Sequence, residues 1–166
     1  MADVSTEVAI ATQTLGSAAS SITFNSIPST YTDLRVVFIG QGNAANVDTL
    51  LRFNSDSGTN YSETDLTGSG SAANTFNRTS NTSIVASYPA TWSAQPSLFT
   101  MDIFSYAGST YKTVLNTLSG DQNGSGYVMR QVGLWRSTSE ITSITLTTGG
   151  ANTYTAGCIA TLYGIL

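Results

Sequence analysis

The stretch DLRVVFIG, from Asp33 to Gly40, sets the pattern for most of the chain. Its side chains Leu34, Val36 and Phe38 stand at alternate positions, so an extended backbone places all three on one face. β-Branched and aromatic residues dominate the stretch, which favours a strand with a core-facing side. The same alternation groups two further sets of residues, Ile22 with Phe24, and Ile159, Thr161, Tyr163 with Ile165.

Short strand-like runs follow one another along the chain between clusters of Gly, Asn, Ser and Pro, and helical periodicity is nearly absent. The pattern predicts one all-β domain over residues 1–166, with an N-terminal arm over about residues 1–15. About ten strands fit an antiparallel two-sheet β-sandwich, most economically a jelly roll, with a barrel as the alternative. The polar segment Thr67–Ser83 is predicted to be an exposed loop. The predicted strands are Val8–Leu15, Ser21–Asn25, Asp33–Gly40, Thr49–Asn54, Tyr61–Leu66, Ser83–Tyr88, Leu98–Tyr106, Tyr111–Leu118, Tyr127–Arg136, Ile141–Thr147 and Cys158–Ile165.

The small number of charged residues limits the classes of partner that the chain is expected to bind. Charged residues make up 10% of the chain, and the net charge is -4. Six scattered Lys and Arg residues give no basic footprint, so no nucleic-acid partner is expected. Asp3 and Glu7 stand where a secretory signal needs positive charge, and the longest apolar stretch is too short to span a bilayer. The single cysteine, Cys158, is predicted to be a small buried hydrophobe.

The residue types argue against catalysis, metals and cofactors. The chain has no histidine, which removes the commonest general base and transition-metal ligand. Glu63 and Asp65 share one strand face, a spacing that a glycosidase could use. The favoured interpretation is that they are two acidic residues on a solvent-exposed strand with no catalytic role. The segment NSDSGTN, residues 54–60, faintly resembles a calcium loop, yet a turn held by Asx hydrogen bonds is the better interpretation. No catalytic residue, metal or cofactor is therefore predicted.

Trp135 and Arg136 are neighbours on a predicted strand, so their side chains point to opposite faces. We expect a structural role: one side chain seals the sheet while the guanidinium meets a carboxylate or turn carbonyls. The run LFTMDIFSY, residues 98–106, is apolar on both faces apart from Asp102. It predicts a central strand, with a buried partner for that carboxylate.

Four segments carry a resemblance that covers about Ile22 to Ile165. They are ITFNSIPSTYTDLRVV from Ile22, LLRFNSDSGTNYSETDL from Leu50, VGLWRSTSEITSITL from Val132 and TLYGI from Thr161. Their order resembles a family of small, Ser/Thr-rich β-sandwich virion proteins of tailed bacteriophages, of the cyanophage and marine-phage type. Related domains occur both on capsids and at the tips of tail appendages.

The resemblance implies a non-enzymatic structural protein of the virion, assembled in the cytoplasm of the bacterial host. With no shaft-like segment in the sequence, a capsid decoration or cement protein is expected, bound to the major capsid protein or another virion protein. A homo-oligomer, most plausibly a trimer at local three-fold positions, would match the family. The alternative is a tail-fibre or baseplate module that binds surface glycan through Tyr88, Trp92 and Tyr154. The candidate partner contacts are Tyr88, Trp92, Phe76 and Arg78.

Overall fold

The computed structural model describes residues 6–91 and 95–166, in which twelve β-strands and no helix occur. The chain is all-β, as the sequence predicts. The strands are β1 (Glu7–Thr14), β2 (Ser21–Phe24), β3 (Asp33–Gly40), β4 (Val47–Phe53), β5 (Tyr61–Gly68), β6 (Ala73–Asn81), β7 (Ile84–Thr91), β8 (Ser97–Phe104), β9 (Lys112–Gly120), β10 (Tyr127–Trp135), β11 (Ile144–Thr148) and β12 (Ile159–Ile165).

The strands form two antiparallel sheets that pack as a sandwich, which confirms the predicted architecture. The larger sheet has eight strands in the order β1-β12-β3-β8-β9-β10-β5-β6, and the smaller has four in the order β2-β11-β4-β7. Every strand pair within them is antiparallel. The predicted central position of residues 98–106 is also confirmed, because β8 lies between β3 and β9.

The core lies between the sheets and follows the alternation of the sequence. In β3, Leu34, Val36 and Phe38 are fully buried, whereas the intervening residues are partly or well exposed. The ring of Phe38 stacks on that of Phe99 from β8 with centroids 4.6 Å apart. Cys158 is buried in the same cluster, as predicted. These contacts fix which face of the large sheet points inward.

Two boundaries differ from the sequence predictions. The loop expected over Thr67–Ser83 contains β6, which pairs with β5 as a hairpin. Its strand character was missed because residues 73–77 are exposed on both faces, so no apolar alternation marks them. By contrast, the strand predicted over Val8–Leu15 is confirmed as β1, which pairs with β12. Ile141 is buried in the connection before β11, which explains the broken spacing between it and Ile144.

Trp135 has the structural role predicted for it. The indole is 2% exposed, stacks near Tyr61 at 6.3 Å and donates from Nε1 to Asp56 Oδ2 at 2.7 Å. Asp56 also accepts from the Gly58 amide and from Asn60, so this turn is held by Asx hydrogen bonds. Arg136, on the opposite side of the strand, donates to the Thr59 carbonyl at 2.6 Å. The two neighbours therefore clamp one turn and form no shared pocket.

Candidate interaction surface

The face of the eight-stranded sheet that points away from the smaller sheet, here called the outer face, is covered by no other element of the described chain. It is unusually apolar for a solvent-facing sheet. Its large apolar side chains, at 38–63% exposure, are Ile39, Leu66, Leu98, Phe104, Val128, Val132 and Ile159. Together they expose on the order of 600 Å². Thr100 and Asp102 separate Phe104 from Leu98, and Arg130 separates Val128 from Val132, so this area is not one contiguous patch.

One row of the outer face spans five strands and has an apolar side chain on four of them. The registers place Ile159 beside Ile39, Ile39 beside Leu98, and Ser119 between Leu98 and Val128. With strands about 4.8 Å apart, this apolar row is roughly 19 Å long. It runs across the strands near one end of the sheet, which makes a ridge long enough for several side chains of a partner.

Two open clefts border the apolar row. The larger, of about 610 Å³, is lined by Leu98, Val128, Tyr127 and the glycine-rich connection between β9 and β10. The second, of about 350 Å³, is lined by Ile159 and the connection before β12. Ile39 and Pro96 contribute to both clefts. The surface therefore has clefts as well as apolar side chains, and these clefts can accept projecting side chains of a partner.

Charge on the outer face is sparse and largely compensated. Arg35 donates to Asp102 at 2.6 Å and to Glu7 at 2.7 Å, which joins β3, β8 and β1. The hydrogen bond to Asp102 raises the pKa of the Arg35 guanidinium despite the opposing effect of burial. The expected partner for Asp102 therefore exists, although this carboxylate is only partly buried. Arg130 donates to Thr117 on the neighbouring strand at 2.6 Å.

The Glu63 and Asp65 carboxylates face the space between the sheets, contrary to the expectation of a solvated strand. Their side chains are 0% and 1% exposed, and Arg78 reaches both, at 2.7 and 3.4 Å. Glu63 also accepts from the Val85 amide at 2.7 Å. Burial raises the pKa of both carboxyl groups, against the opposing effect of the arginine. This ion cluster ties β6 and β7 to β5, a structural arrangement that alternation alone could not assign to the inner face.

The predicted contact residues lie apart from the apolar row. Phe76 is 39% exposed on β6, at the edge of the large sheet. Arg78, on the same strand, is engaged by the two buried carboxylates. Tyr88 lies in β7, outside the residues whose side chains are described, and Trp92 lies outside the described residues altogether. That these four residues contact a partner stays a prediction.

Tyr154 corrects the expectation of a glycan-stacking side chain at that position. It is fully buried against Phe38 and donates to the Thr49 hydroxyl at 3.3 Å. Burial raises the pKa of its phenol above the usual value. A sugar cannot stack on this ring while the domain is folded.

Sequence reasoning missed the outer face as a surface. The signal was present in LFTMDIFSY, whose two apolar faces indicated a central strand. The second apolar face also belongs to Val128 and Val132 in β10, so it extends beyond one strand. In the part of the chain that the structure describes, no cluster of acidic, Cys or His residues could hold a metal ion, and no helix could cross a membrane.

Comparisons of the chain with protein-family models, with curated proteins and with solved structures gave no match.

Proposed function

We propose that the chain is a non-enzymatic structural protein of a tailed-phage virion that decorates and stabilises the assembled head. The observation that carries this proposal is the outer face, a broad, sculpted, apolar surface with little charge. Interface cores are depleted in charged residues, and clustered exposed apolar side chains commonly mark an interaction surface. The family resemblance supplies the partner, the major capsid protein or another virion protein.

The strand order supports the same proposal. The large sheet begins with the strands β1-β12-β3-β8, and the smaller sheet has the order β2-β11-β4-β7. Pairing is nested, since β1 pairs with β12, β2 with β11 and β4 with β7. We infer a jelly roll of these eight strands, with the β5–β6 and β9–β10 hairpins as insertions that widen one sheet. The insertions enlarge the outer face without adding to the smaller sheet.

The mechanism is mechanical. A protein that binds the assembled shell in preference to free subunits adds its binding free energy to the work of breaking the shell. Many equivalent sites on a lattice make even weak contacts effective. The Ser- and Thr-rich remainder of the surface keeps the protein soluble before assembly.

The test uses purified protein added to virus heads that lack it. We expect saturable binding and a higher temperature of shell rupture. Leu98→Asp with Val128→Asp should abolish binding, because both side chains are more than 40% exposed on the outer face and tolerate a charge without unfolding the domain. Val8→Asp is the matched control, because Val8 is 36% exposed and pairs with Gly164 on the opposite face of the sheet.

Cryo-electron microscopy of complete virions supplies the second readout. Many copies on the head support the proposal. Density or labelling restricted to the tail would overturn it and favour the glycan-binding tail module instead. Retained head binding by the double aspartate variant would show that the outer face is not the docking surface.

A further inference from the structure

The two sheets have four edge strands, and three of them are protected against pairing with another chain. β1 carries a bulge at Ile10, between the pairs formed by Ala9 and Ala11. β2 has four residues, and its Thr23 carbonyl accepts a hydrogen bond from the Gln13 side chain. β7 contains Pro89 and has an irregular register with β4. Bulges, short strands and proline are the usual devices that block edge pairing.

The fourth edge, β6, lacks these devices over most of its length. Ala73–Arg78 pairs with β5 in an unbroken register of six residues, and the irregularity comes only beyond Arg78. Residues 73–77 are exposed, and they contain neither proline nor a charged side chain. An open edge about 20 Å long is a template for one more strand.

We propose that β6 pairs with β6 of a second copy of this chain, antiparallel about a two-fold axis, and joins the two large sheets into one of sixteen strands. The sequence of the edge is compatible with itself. In registers centred on Thr75 or Phe76, Arg78 lies opposite Ala72 or Asn74 of the second copy, so the two arginines never face each other. The remaining positions bring together amides, hydroxyls and one aromatic ring.

Pairing through the β6 edges also differs from a face-to-face dimer in what it does to the outer faces. A two-fold axis that relates antiparallel strands of one sheet stands perpendicular to that sheet. Both outer faces therefore point in the same direction and remain free, and the pair offers two docking surfaces to one lattice. This consequence rests on the proposed function, whereas the pairing itself does not. Face-to-face association would instead bury the apolar row.

The contact is small. Six edge residues on each side cover less than the roughly 800 Å² per partner of a standard stable interface, so association should depend strongly on concentration. On a lattice, where copies are held close together, the same contact becomes effective. A two-fold contact predicts a dimer in solution, whereas the family resemblance implies a trimer.

Sedimentation velocity over a concentration series tests the proposal. The wild-type chain should pass from monomer to dimer as its concentration rises. Thr75→Lys with Asn77→Lys should weaken dimerisation at least tenfold, because the new ammonium groups face each other in both registers. Thr12→Lys with Thr14→Lys places the same charge on the bulged β1 edge and should leave the dimer unchanged. Circular dichroism melts establish that each variant is folded.

Three results would overturn the proposal: a wild-type monomer at every concentration, a wild-type trimer, or equal loss of association in both lysine variants. The proposed function has a separate readout. The Leu98→Asp, Val128→Asp variant should lose head binding and still dimerise as the wild type does, because neither side chain lies on β6. If that variant still binds heads, the proposed function fails while edge pairing stands; if it loses the dimer, edge pairing through β6 fails.

Discussion

Replacing Trp135 with phenylalanine tests whether the indole holds the 54–60 turn. The change removes the Nε1 hydrogen bond to Asp56. A hydrogen bond to a charged group contributes about 1.5–3 kcal/mol, and the partly exposed carboxylate places this one at the lower end. The smaller ring leaves a void of ~40 Å³, which adds ~1 kcal/mol at about 24 cal/mol per Å³. We expect Trp135→Phe to lower the free energy of unfolding by about 2–3 kcal/mol, measured by urea denaturation with far-UV circular dichroism.

Two controls separate the hydrogen bond from the packing. A double-mutant cycle with Asp56→Ala should give a coupling free energy of about 1.5 kcal/mol. Arg136→Ala, which removes an exposed hydrogen bond to Thr59, should cost less than about 1 kcal/mol. A coupling near zero, or a loss for Arg136→Ala as large as for Trp135→Phe, would refute the proposed clamp.

The pH dependence gives an independent check on the same contact. The hydrogen bond from Trp135 is the main cause that lowers the pKa of Asp56. A carboxyl group with a lowered pKa stabilises the fold above its unfolded pKa, and this contribution is lost as pH falls through the folded pKa. The difference in stability between wild type and Trp135→Phe should therefore shrink below about pH 4.

Three other predictions concern the interior. Burial raises the pKa of Glu63 and Asp65, so their effect on stability is most favourable below the unfolded pKa and is lost as pH rises through the folded pKa. Asp65→Asn should therefore flatten the dependence of stability on pH above about pH 4, and an unchanged dependence in denaturation experiments would contradict this. In Gly164→Ala, the new Cβ would lie 2.3 Å from the Tyr31 ring, so the melting temperature should fall by an amount corresponding to about 1–3 kcal/mol. Gly16→Ala, with no neighbouring atom within 4 Å, should change it little; equal shifts would show that Tyr31 yields freely. The buried Cys158 thiol should react with a disulfide reagent only on unfolding, and rapid labelling of the native protein would be inconsistent with its 1% exposure.

Alternation predicted most strands of the fold because most of them have one face in the core. In β3, every second residue is fully buried, and the sequence shows this directly. The same rule failed for β6, whose two faces are both exposed at residues 73–77. It also could not show whether Glu63 and Asp65 point inward, since that depends on Arg78 arriving from the paired strand. Apolar alternation in the sequence identifies a strand, whereas the strands packed around it in the fold determine which of its faces is buried.

The surface was harder to predict than the fold for a related reason. The residues of the apolar row come from four separate strands, and only the sheet registers bring Ile39 beside Leu98 and Ile159. Each residue alone is an ordinary member of a strand. Phe76 and Arg78 are predicted as partner contacts because they lie in a polar segment. In the structure, however, Arg78 forms an ion pair with the buried Glu63 carboxylate. Composition alone therefore could not locate the apolar row.

The position of β12 has a consequence for how the chain folds. β12 lies between β1 and β3 and hydrogen-bonds to both. During synthesis neither of those early strands can find this partner until Ile159–Ile165 has left the ribosome. Such distant contacts slow folding and leave open edges exposed in the meantime. A nascent chain stalled before residue 159 should therefore be prone to aggregation, and β1 and β3 should reach their native pairing only once β12 has emerged.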